Sequence, residues 1–352
     1  MSYEVTIEPT GDVIEVEDGQ TILQAALRQG VWLPFACGHG TCGTCKVQVL
    51  EGFADLGEAS TFALMEVERD EGKVLACCCY PESDLVIEAD IDVDPDFLGY
   101  PVEDYTATVE SVTPLSPTIL GIRLQLDRDM QFQAGQYINL DIPDVGTRAF
   151  SIANPPSQSN IVELHVRLVN EGKGTSWLHN ELAVGDSIEL SGPYGQFFVR
   201  SSDSQDMIFV AGGSGLSSPE SMILDLLEQG ETRQLYLFQG ARNIPELYHR
   251  DKFEQLATEH DNFHYIPALS DEDTLGEWSG FKGYVNDAVK HHFNGKCSGH
   301  KAYMCGPPPM IDATITTLMQ ARLFERDIHM ERFLTAADGT DESSRSALFK
   351  RI

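Results

Sequence analysis

The chain has 352 residues, enough for two or three domains that each bury a core. Its formal net charge of −31 argues against nucleic acid as a partner, because the phosphate backbone repels an acidic surface. The N-terminus is acidic, and apolar runs of about 18 residues do not occur, so we expect neither a secretion signal nor a membrane span. A large chain of this kind does not need a disulfide framework, and we expect a cytoplasmic protein.

The negative charge is concentrated in the first quarter of the chain. Residues 1–96 contain 20 Asp and Glu against 4 Lys and Arg, a difference of −16. Such a surface attracts a basic protein partner and raises the rate of encounter. The alternative is a generally acidic surface without a docking role.

The element pattern predicts three domains. The first domain covers residues 1–93. Apolar and polar residues alternate over 3–17, which predicts a hairpin, and residues 21–30 have the apolar spacing of a helix that ends at Gly30. The segment "CKVQVLEG" predicts a further strand. Residues 87–104 are acidic, contain two prolines and read as a linker.

The second and third domains follow this linker. Short strands over 102–203, broken by one helical segment "GTSWLHNELA", predict an antiparallel β-barrel. From 204 to 352 strands and helices alternate, which predicts a doubly wound parallel sheet. The predicted fold class is therefore multidomain, with an α+β first domain, a β-barrel and an α/β domain.

Three cysteines lie in the loop "CGHGTCGTCK". Cys37, Cys42 and Cys45 have the C-x4-C-x2-C spacing of a plant-type [2Fe–2S] cluster, which needs one distant fourth cysteine. Zinc is the alternative, but zinc sites more often use two short-spaced pairs, and no second C-x2-C pair follows. Glycines between the cysteines allow unusual backbone angles and let N–H groups approach the sulfurs; they are Gly38, Gly40 and Gly43.

The fourth ligand lies in "VLACCCYP". In an extended segment Cys77 and Cys79 share one face, and Cys78 faces away. The stretch resembles the L-x-C-x-x-Y-P ending of plant-type ferredoxins, which implies Cys77 as the ligand. That choice leaves Cys78 and Cys79 as small buried thiols.

The stretch "RAFSIANPP" resembles the R-x-[YF]-[ST] flavin motif of the ferredoxin–NADP reductase superfamily. Arg148 can bind a flavin phosphate, Phe150 can stack on the ring, and Ser151 can hydrogen-bond near its reactive nitrogen. "GKGTSWL" resembles the second phosphate motif through Gly172 and Thr175, at the start of a helix. Taken singly, these stretches are ordinary turns and a helix cap. The pyrophosphate motif favours FAD over FMN.

"MIFVAGGSGLSSPES" forms a strand, a glycine turn and a helix start, but not the G-x-G-x-x-G fingerprint. It resembles the turn of the same superfamily, in which Gly212, Gly213 and Gly215 let a dinucleotide pyrophosphate approach the backbone. "YMCGPPPM" resembles its C-G-[PS]-x-x-M segment, which implies that Cys305 and Gly306 lie by the nicotinamide.

"MERF" resembles the Glu-x-aromatic close of these reductases. The resemblance implies that Ser151, Cys305 and Glu331 surround the hydride path as catalytic residues, with Phe333 near the flavin. This chain continues beyond the aromatic residue, which departs from plant members of the superfamily.

The order ferredoxin, flavin, nucleotide covers essentially the whole chain. It resembles the reductases of bacterial multicomponent oxygenases, and segments such as "GTRAFSIANPP" and "SALFKRI" resemble the reductase components of phenol hydroxylases. The resemblance implies that NADH reduces FAD by hydride transfer and that single electrons pass through a [2Fe–2S] cluster to an oxygenase docked by the acidic ferredoxin domain. It also implies a place in phenol degradation.

Two alternatives remain open. One is a reductase for another oxygenase, such as a toluene or methane monooxygenase or a ring-hydroxylating dioxygenase, which would share every motif above. The other is a metal-binding adaptor, which would contain zinc or no metal and no flavin. Di-iron Glu-x-x-His pairs are not visible, so we expect hydroxylation to occur on another protein.

Overall fold

The structure is a computed structural model that describes residues 2–92, 94–271 and 278–333. The chain divides into two compact units, Met1–Glu103 and Asp104–Ile352. The first unit contains the predicted ferredoxin domain, and the second contains both the predicted flavin and nucleotide domains.

The first unit is built on a mixed five-stranded sheet in the order β2-β1-β7-β3-β5, with a separate β4–β6 pair. Its elements are β1 (Ser2–Glu8), β2 (Asp12–Glu17), α1 (Ile22–Arg28), β3 (Lys46–Glu51), β4 (Ala54–Asp55), α2 (Glu66–Asp70), β5 (Lys73–Leu75), β6 (Tyr80–Pro81) and β7 (Leu85–Glu88). The predicted hairpin, helix and strand are confirmed. Helix α1 begins in a capping box, in which the Thr21 hydroxyl accepts from the Gln24 N–H at 3.3 Å.

The predicted linker begins too early. Residues 87 and 88 belong to β7, which pairs parallel with β1 and antiparallel with β3 and therefore lies inside the sheet. Ile87 is fully buried in the core of this unit. The acidic residues that follow Ile87 concealed the apolar and polar alternation of the strand.

The second unit begins with the predicted antiparallel barrel, a six-stranded sheet in the order β11-β10-β13-β8-β9-β12. Its elements are β8 (Glu103–Ser116), β9 (Ile119–Leu126), β10 (Tyr137–Ile142), β11 (Gly146–Ser151), β12 (Ile161–Arg167), α3 (Lys173–Asn180) and β13 (Ser187–Tyr194). A bridge from Ile152 to Leu164 joins the two outer strands and closes the barrel. Apolar side chains fill the interior, among them Ile122, Leu124 and Leu164.

The rest of the second unit is the predicted doubly wound sheet, in the order β17-β16-β15-β14-β18-β19 with parallel pairing. Its elements are β14 (Asp206–Gly212), α4 (Ser217–Glu228), β15 (Leu235–Ala241), α5 (Arg250–Glu259), β16 (Phe263–Leu269), β17 (Phe281–Lys282), α6 (Val285–His292), β18 (His300–Gly306), α7 (Pro308–Gln320) and β19 (Ile328–Arg332). The strand order reverses between β14 and β18, and ligands of open α/β sheets bind at such a point.

Candidate functional site

The cysteine loop lies between α1 and β3, and its glycines have left-handed backbone angles. Gly40 has φ +79°, and a Cβ there would lie 2.7 Å from Cys78 Sγ and 2.9 Å from the Glu58 carbonyl oxygen. Gly43 has φ +76°, and its Cβ would lie 2.9 Å from the Ala63 carbonyl oxygen. Both positions therefore require glycine, because the backbone angle and the space exclude a side chain.

Backbone N–H groups in this loop point at the cysteine sulfurs. Cys37 Sγ accepts from the Thr41 N–H at 3.4 Å, and Cys42 Sγ accepts from the Thr44 N–H at 3.5 Å. Burial opposes ionisation of Cys37, but hydrogen bonds from the Thr41 side chain and from the backbone lower its pKa to about 6. Such hydrogen bonds stabilise the thiolate, which is the form that binds metal.

The triple cysteine segment forms a turn and not the extended strand that we expected. The N–H groups of Cys78 and Cys79 both donate to the Leu75 carbonyl oxygen, at 2.9 and 3.0 Å. Consequently Cys78 does not face away from Cys77, and their sulfurs lie 3.6 Å apart. Cys79 is fully buried, as expected, whereas Cys78 is only half-buried.

The thiol of Cys77 differs electrostatically from its two neighbours. A hydrogen bond from the Cys45 thiol lowers the pKa of Cys77 to about 6. Burial raises the pKa of Cys78 and of Cys79 to about 12 each. Cys77 is thus the member of the triplet that favours the thiolate, and it interacts directly with Cys45 of the loop. Four interacting thiols with N–H donors on their sulfurs fit a [2Fe–2S] cluster.

The two predicted flavin phosphate motifs lie side by side in the barrel. Arg148, on β11, packs against the first turn of α3, and a Cβ at Gly174 would lie 3.2 Å from Arg148 Cγ. Gly172 caps this helix without a side chain, so its first N–H groups and the exposed guanidinium form a cradle suited to pyrophosphate. The Thr175 hydroxyl is engaged within the turn, donating to Gly172 O at 3.2 Å and accepting from Val169 N–H at 3.1 Å.

A buried carboxylate joins the barrel to the parallel sheet. Glu331 Oε2 accepts from the Ser151 hydroxyl at 3.0 Å, from the Ser218 hydroxyl at 3.2 Å and from the Cys305 thiol at 3.7 Å. Cys305 and Glu331 are direct neighbours because β18 and β19 pair in that register. The structure therefore brings the three predicted catalytic residues to one point.

Burial raises the pKa values of Glu331 and Cys305. Burial raises the pKa of Glu331 above its ordinary value, although the three donors oppose the shift. Burial, with the charge of Glu331, raises the pKa of Cys305 well above its ordinary value, so Cys305 is a neutral thiol and can donate. Phe150, predicted to stack on the flavin, precedes Ser151 on β11; its half-buried ring packs against the core of the barrel.

The glycine turn after β14 is packed against the end of β18. A Cβ at Gly215 would lie 2.4 Å from the Cys305 carbonyl oxygen, and one at Gly212 would lie 2.5 Å from Met310 Sδ. Gly213 has φ +57°, which favours glycine for its backbone angle. Packing against the backbone of β18 thus already requires Gly215, in addition to the predicted approach of a pyrophosphate.

The chain after β19 is fixed to the same strand end. The Phe333 N–H donates to the Gly306 carbonyl oxygen at 3.0 Å, and its half-buried ring packs against the core of the nucleotide half. The extension beyond Phe333 lies outside the described residues. No helix in the described part of the chain has the length and apolar character needed to cross a membrane.

Sequence reasoning missed two residues of this site. Ser218 is fully buried at the start of α4 and contacts Glu331 from a distant part of the chain. Tyr137 stacks on Tyr194 with ring centroids 5.5 Å apart, and burial together with the charge of Glu331 raises its pKa. Neither residue belongs to a motif, although Ser218 lies directly beside the glycine turn.

Each of three known domain families matches one part of the chain. The 2Fe-2S iron-sulfur cluster binding domain matches residues 5–82, the oxidoreductase FAD-binding domain matches 106–199, and the oxidoreductase NAD-binding domain matches 209–316. Fold, thiol cluster and buried carboxylate therefore define an iron–sulfur flavoprotein reductase.

The relatives narrow this class. The reductase component DmpP of phenol 2-monooxygenase from Pseudomonas sp. (strain CF600) is 71% identical over 100% of both chains. The phenol hydroxylase P5 protein of Acinetobacter pittii (strain PHEA-2) is 67% identical, also over 100% of both. The chain belongs to the family of phenol hydroxylase reductase components.

Solved structures agree with the fold. The crystal structure of the Amycolatopsis cytochrome P450 reductase GcoB aligns with a TM-score of 0.83 and 35% identity, over 94% of this chain and 98% of that one. The ferredoxin reductase in carbazole 1,9a-dioxygenase aligns with a TM-score of 0.75 and 26% identity, over 95% and 99%.

Proposed function

We propose that this protein is the NADH-dependent reductase component of a multicomponent phenol hydroxylase and that it works in the cytoplasm. The observation that carries the proposal is the convergence of Ser151, from the flavin barrel, and Cys305, from the nucleotide sheet, on Glu331. The names of the two relatives supply the substrate of the system. All eight cysteines are free, as is usual in a reducing compartment.

The residues that would hold the cofactors follow from the site. Cys37, Cys42, Cys45 and Cys77 are proposed cluster ligands; Arg148, Phe150, Ser151, Gly172, Thr175 and Phe333 are proposed for FAD, and Gly212, Gly213, Gly215, Cys305 and Gly306 for NADH. When bound, the flavin accepts a hydride from NADH, and the iron–sulfur cluster passes on single electrons.

The protein contributes position and electrostatics. Glu331 accepts from Ser151 and Cys305 and so fixes the direction of the hydroxyl and the thiol between the two proposed ring sites. We further propose that 1–93, 102–203 and 204–352 act as ferredoxin, flavin and nucleotide domains, the last two within one compact unit.

The test of this function is reconstitution with purified oxygenase components. With NADH, the protein should support hydroxylation of phenol by a phenol hydroxylase oxygenase, and the wild-type rate should exceed that with a ring-hydroxylating dioxygenase. A higher rate with the dioxygenase, or with another monooxygenase, would assign the reductase to that system instead.

The proposed docking surface for the oxygenase is the acidic ferredoxin unit, near the cysteine loop. Phe62 is 96% exposed and lies in the segment that packs on this loop, where the Ser60 N–H donates to the Gly40 carbonyl oxygen at 2.9 Å. The exposed side chains of Glu58 and Glu66 flank this segment. An exposed apolar side chain within acidic surroundings suits a basic partner with an apolar centre.

The few cations of this unit do not neutralise the surface. Lys46 pairs with Glu68 at 2.6 Å, and Lys73 pairs with Glu71 at 3.1 Å. The Arg69 guanidinium donates to backbone carbonyl oxygens inside the unit, including that of Ala59 at 2.7 Å. The remaining carboxylates therefore dominate the potential that a partner meets.

We expect electron delivery to the oxygenase to slow as salt increases. The Debye length falls from about 30 Å at 0.01 M to about 3 Å at 1 M, so the second-order rate constant should fall about tenfold between 0.02 and 0.5 M salt. Phe62→Ala should lower the same rate constant, whereas Phe53→Ala, which removes another exposed phenylalanine, should not. A rate constant that does not change with salt would refute electrostatic steering.

The loop after β16 predicts a preference for NADH. The segment "ALSDEDTLGEW" contains Ser270, as NADP-selective relatives of the superfamily do, but acidic residues follow where those relatives carry cations around a 2′-phosphate. Asp271 is tied to the end of the preceding strand, because its N–H donates to the Arg242 carbonyl oxygen at 2.9 Å. Glu272 and Asp273 lie outside the described residues. Arg242, the cation at the end of the preceding strand, is exposed.

We expect kcat/KM for NADH to exceed that for NADPH by about 100-fold with ferricyanide as acceptor. A unit charge 5 Å from another repels by about 3 kcal/mol at an effective dielectric constant of 20, and each 1.4 kcal/mol is tenfold. Asp271→Arg should reduce the ratio of kcat/KM for NADH to that for NADPH. Asp261→Arg, the same change at the other end of β16, should leave this ratio unchanged. Equal values for the two nucleotides would show this interpretation of the loop to be wrong.

A further inference from the structure

A second group of metal-ligating side chains lies outside the site described above. His165, on β12, is 4% exposed, and Glu220, on α4, is 1% exposed. With His249, which precedes α5, they offer three ligand atoms that all lie within 4.8 Å of one another. Glu163 Oε1 lies 3.6 Å from His165 Nε2 and places a second carboxylate beside the group. The group combines two imidazoles and two carboxylates from the flavin and nucleotide halves of the second unit.

The proton on His165 can be placed from its neighbours. The Tyr248 hydroxyl donates to the Gly213 carbonyl oxygen at 3.1 Å, because a carbonyl can only accept. Its oxygen therefore accepts the hydrogen bond with His165 Nδ1 at 3.1 Å, so Nδ1 carries a proton. When the ring carries this one proton, Nε2 has a lone pair.

No hydrogen-bond donor among the described residues reaches that lone pair. His165 Nε2 is buried and has no hydrogen-bond partner among the described residues. The nearest facing atom is Glu163 Oε1, which is also an acceptor. An imidazole nitrogen and a carboxylate oxygen that face each other as acceptors are unfavourable unless a proton or a metal cation lies between them.

The atoms of these residues that point away from the gap are already engaged. Glu220 Oε1 pairs with Lys252 Nζ at 2.6 Å, and Glu163 Oε2 lies 3.5 Å from an Arg123 nitrogen. The other ring nitrogen of His165, Nδ1, is engaged by its hydrogen bond to the Tyr248 hydroxyl oxygen. Outer partners of this kind orient metal ligands and are a regular part of metal sites.

We propose that His165, Glu220 and His249, with the Glu163 carboxylate beside His165, form a binding site for one divalent cation of the zinc class. Bonds of about 2.0–2.1 Å in a tetrahedron place ligand atoms about 3.3 Å apart. The present separations of 2.9 Å, between His249 Nδ1 and Glu220 Oε2, and 3.6 Å, between His165 Nε2 and Glu163 Oε1, bracket this value. On binding, the cation displaces the proton of His249 Nδ1, which is released to solvent.

Ligands from three separate segments of the chain suit a structural site. It would link β12 of the barrel to α4 and to the segment before α5. Through Tyr248 it also reaches the carbonyl group of Gly213 in the glycine turn. The cation would thus hold the nucleotide turn against the flavin barrel.

The test uses the full chain with its cluster and flavin in place. The protein is stripped with EDTA, dialysed against zinc and analysed for zinc, iron and flavin, and the zinc shell is measured by X-ray absorption. We expect one zinc per chain with only nitrogen and oxygen neighbours. This shell distinguishes the site from zinc misincorporated at the cysteine loop, which would show sulfur.

Variants locate the metal. His165→Gln should lower zinc affinity by more than about 100-fold, since loss of an outer partner alone costs about 10- to 100-fold. His291→Gln, which changes an exposed histidine, should bind zinc like wild type. Glu163→Gln keeps the shape of a half-buried side chain and should also weaken binding if His165→Gln does not fold, whereas the exposed Glu110→Gln should not. Absence of zinc from the wild type, a sulfur shell, or equal zinc in the Glu163 and Glu110 variants would overturn the proposal.

Discussion

We expect Cys77→Ser to lose the iron–sulfur cluster while the flavin and its reduction by NADH remain. Reduction of cytochrome c should fall by more than about 100-fold, because even outer partners of a metal ligand contribute 10- to 100-fold to affinity or activity. Reduction of a two-electron dye should be unchanged, since it needs only the second unit. Iron and sulfide analysis, the visible spectrum and the two acceptor assays measure the result. Serine at Cys37, Cys42 or Cys45 should act in the same way.

The adjacent thiol provides a stringent control for this prediction. Cys78 Sγ lies only 3.6 Å from Cys77 Sγ, yet burial raises its pKa to about 12. Cys78→Ser should therefore retain the cluster and its electron transfer. Loss of the cluster in Cys78→Ser or Cys79→Ser, combined with its retention in Cys77→Ser, would show that the proposed ligand is wrong.

The second large effect should arise at Glu331. We expect Glu331→Gln to slow hydride transfer from NADH by about 10²- to 10³-fold, the range measured when one preorganised polar group is removed from a reaction centre. The amide keeps one acceptor oxygen but loses the charge on which Ser151, Ser218 and Cys305 converge. The measurement is the rate at which flavin absorbance bleaches after rapid mixing with NADH, at constant FAD content.

The pH profile distinguishes this role from a structural one. Burial raises the pKa of Glu331, so the ionised form that accepts three hydrogen bonds is lost, as pH falls, sooner than for an exposed glutamate. The wild-type rate should fall on the acid side, and this limb should be absent in Glu331→Gln. Glu325→Gln, an exposed change just before β19, should retain the limb. A limb that persists in Glu331→Gln would assign it to another group.

The parts of the site predicted from the sequence are those that depend on local spacing. Cys37, Cys42 and Cys45 lie in one loop whose glycines determine its path, so the spacing alone indicates the metal. Arg148 and Gly172 belong to two short motifs, and the barrel brings Arg148 against Gly174 of the second motif. Such motifs are informative because the chemistry constrains neighbouring residues along the chain.

The parts that were missed depend on contacts between distant segments. Ser218 reaches Glu331 across 113 residues of chain, and no periodicity records that contact. Likewise His165 and Glu220 meet only because a barrel strand packs against a helix of the parallel sheet. The turn at Cys77 was mistaken for a strand because its geometry depends on the Leu75 carbonyl oxygen, which accepts twice.

The position of Glu331 on the last strand bears on heat tolerance. Strand β19 has five residues and, among the described strands, lies at the edge of its sheet, bonded along one side to β18. Its end is held by an ion pair between Arg332 and Asp312 at 2.7 Å and by the Phe333 N–H. Short edge segments open locally at lower free energy than the core. Fraying of these few residues would remove the carboxylate while both sheets stay folded, so hydride transfer would fail on warming before the protein unfolds.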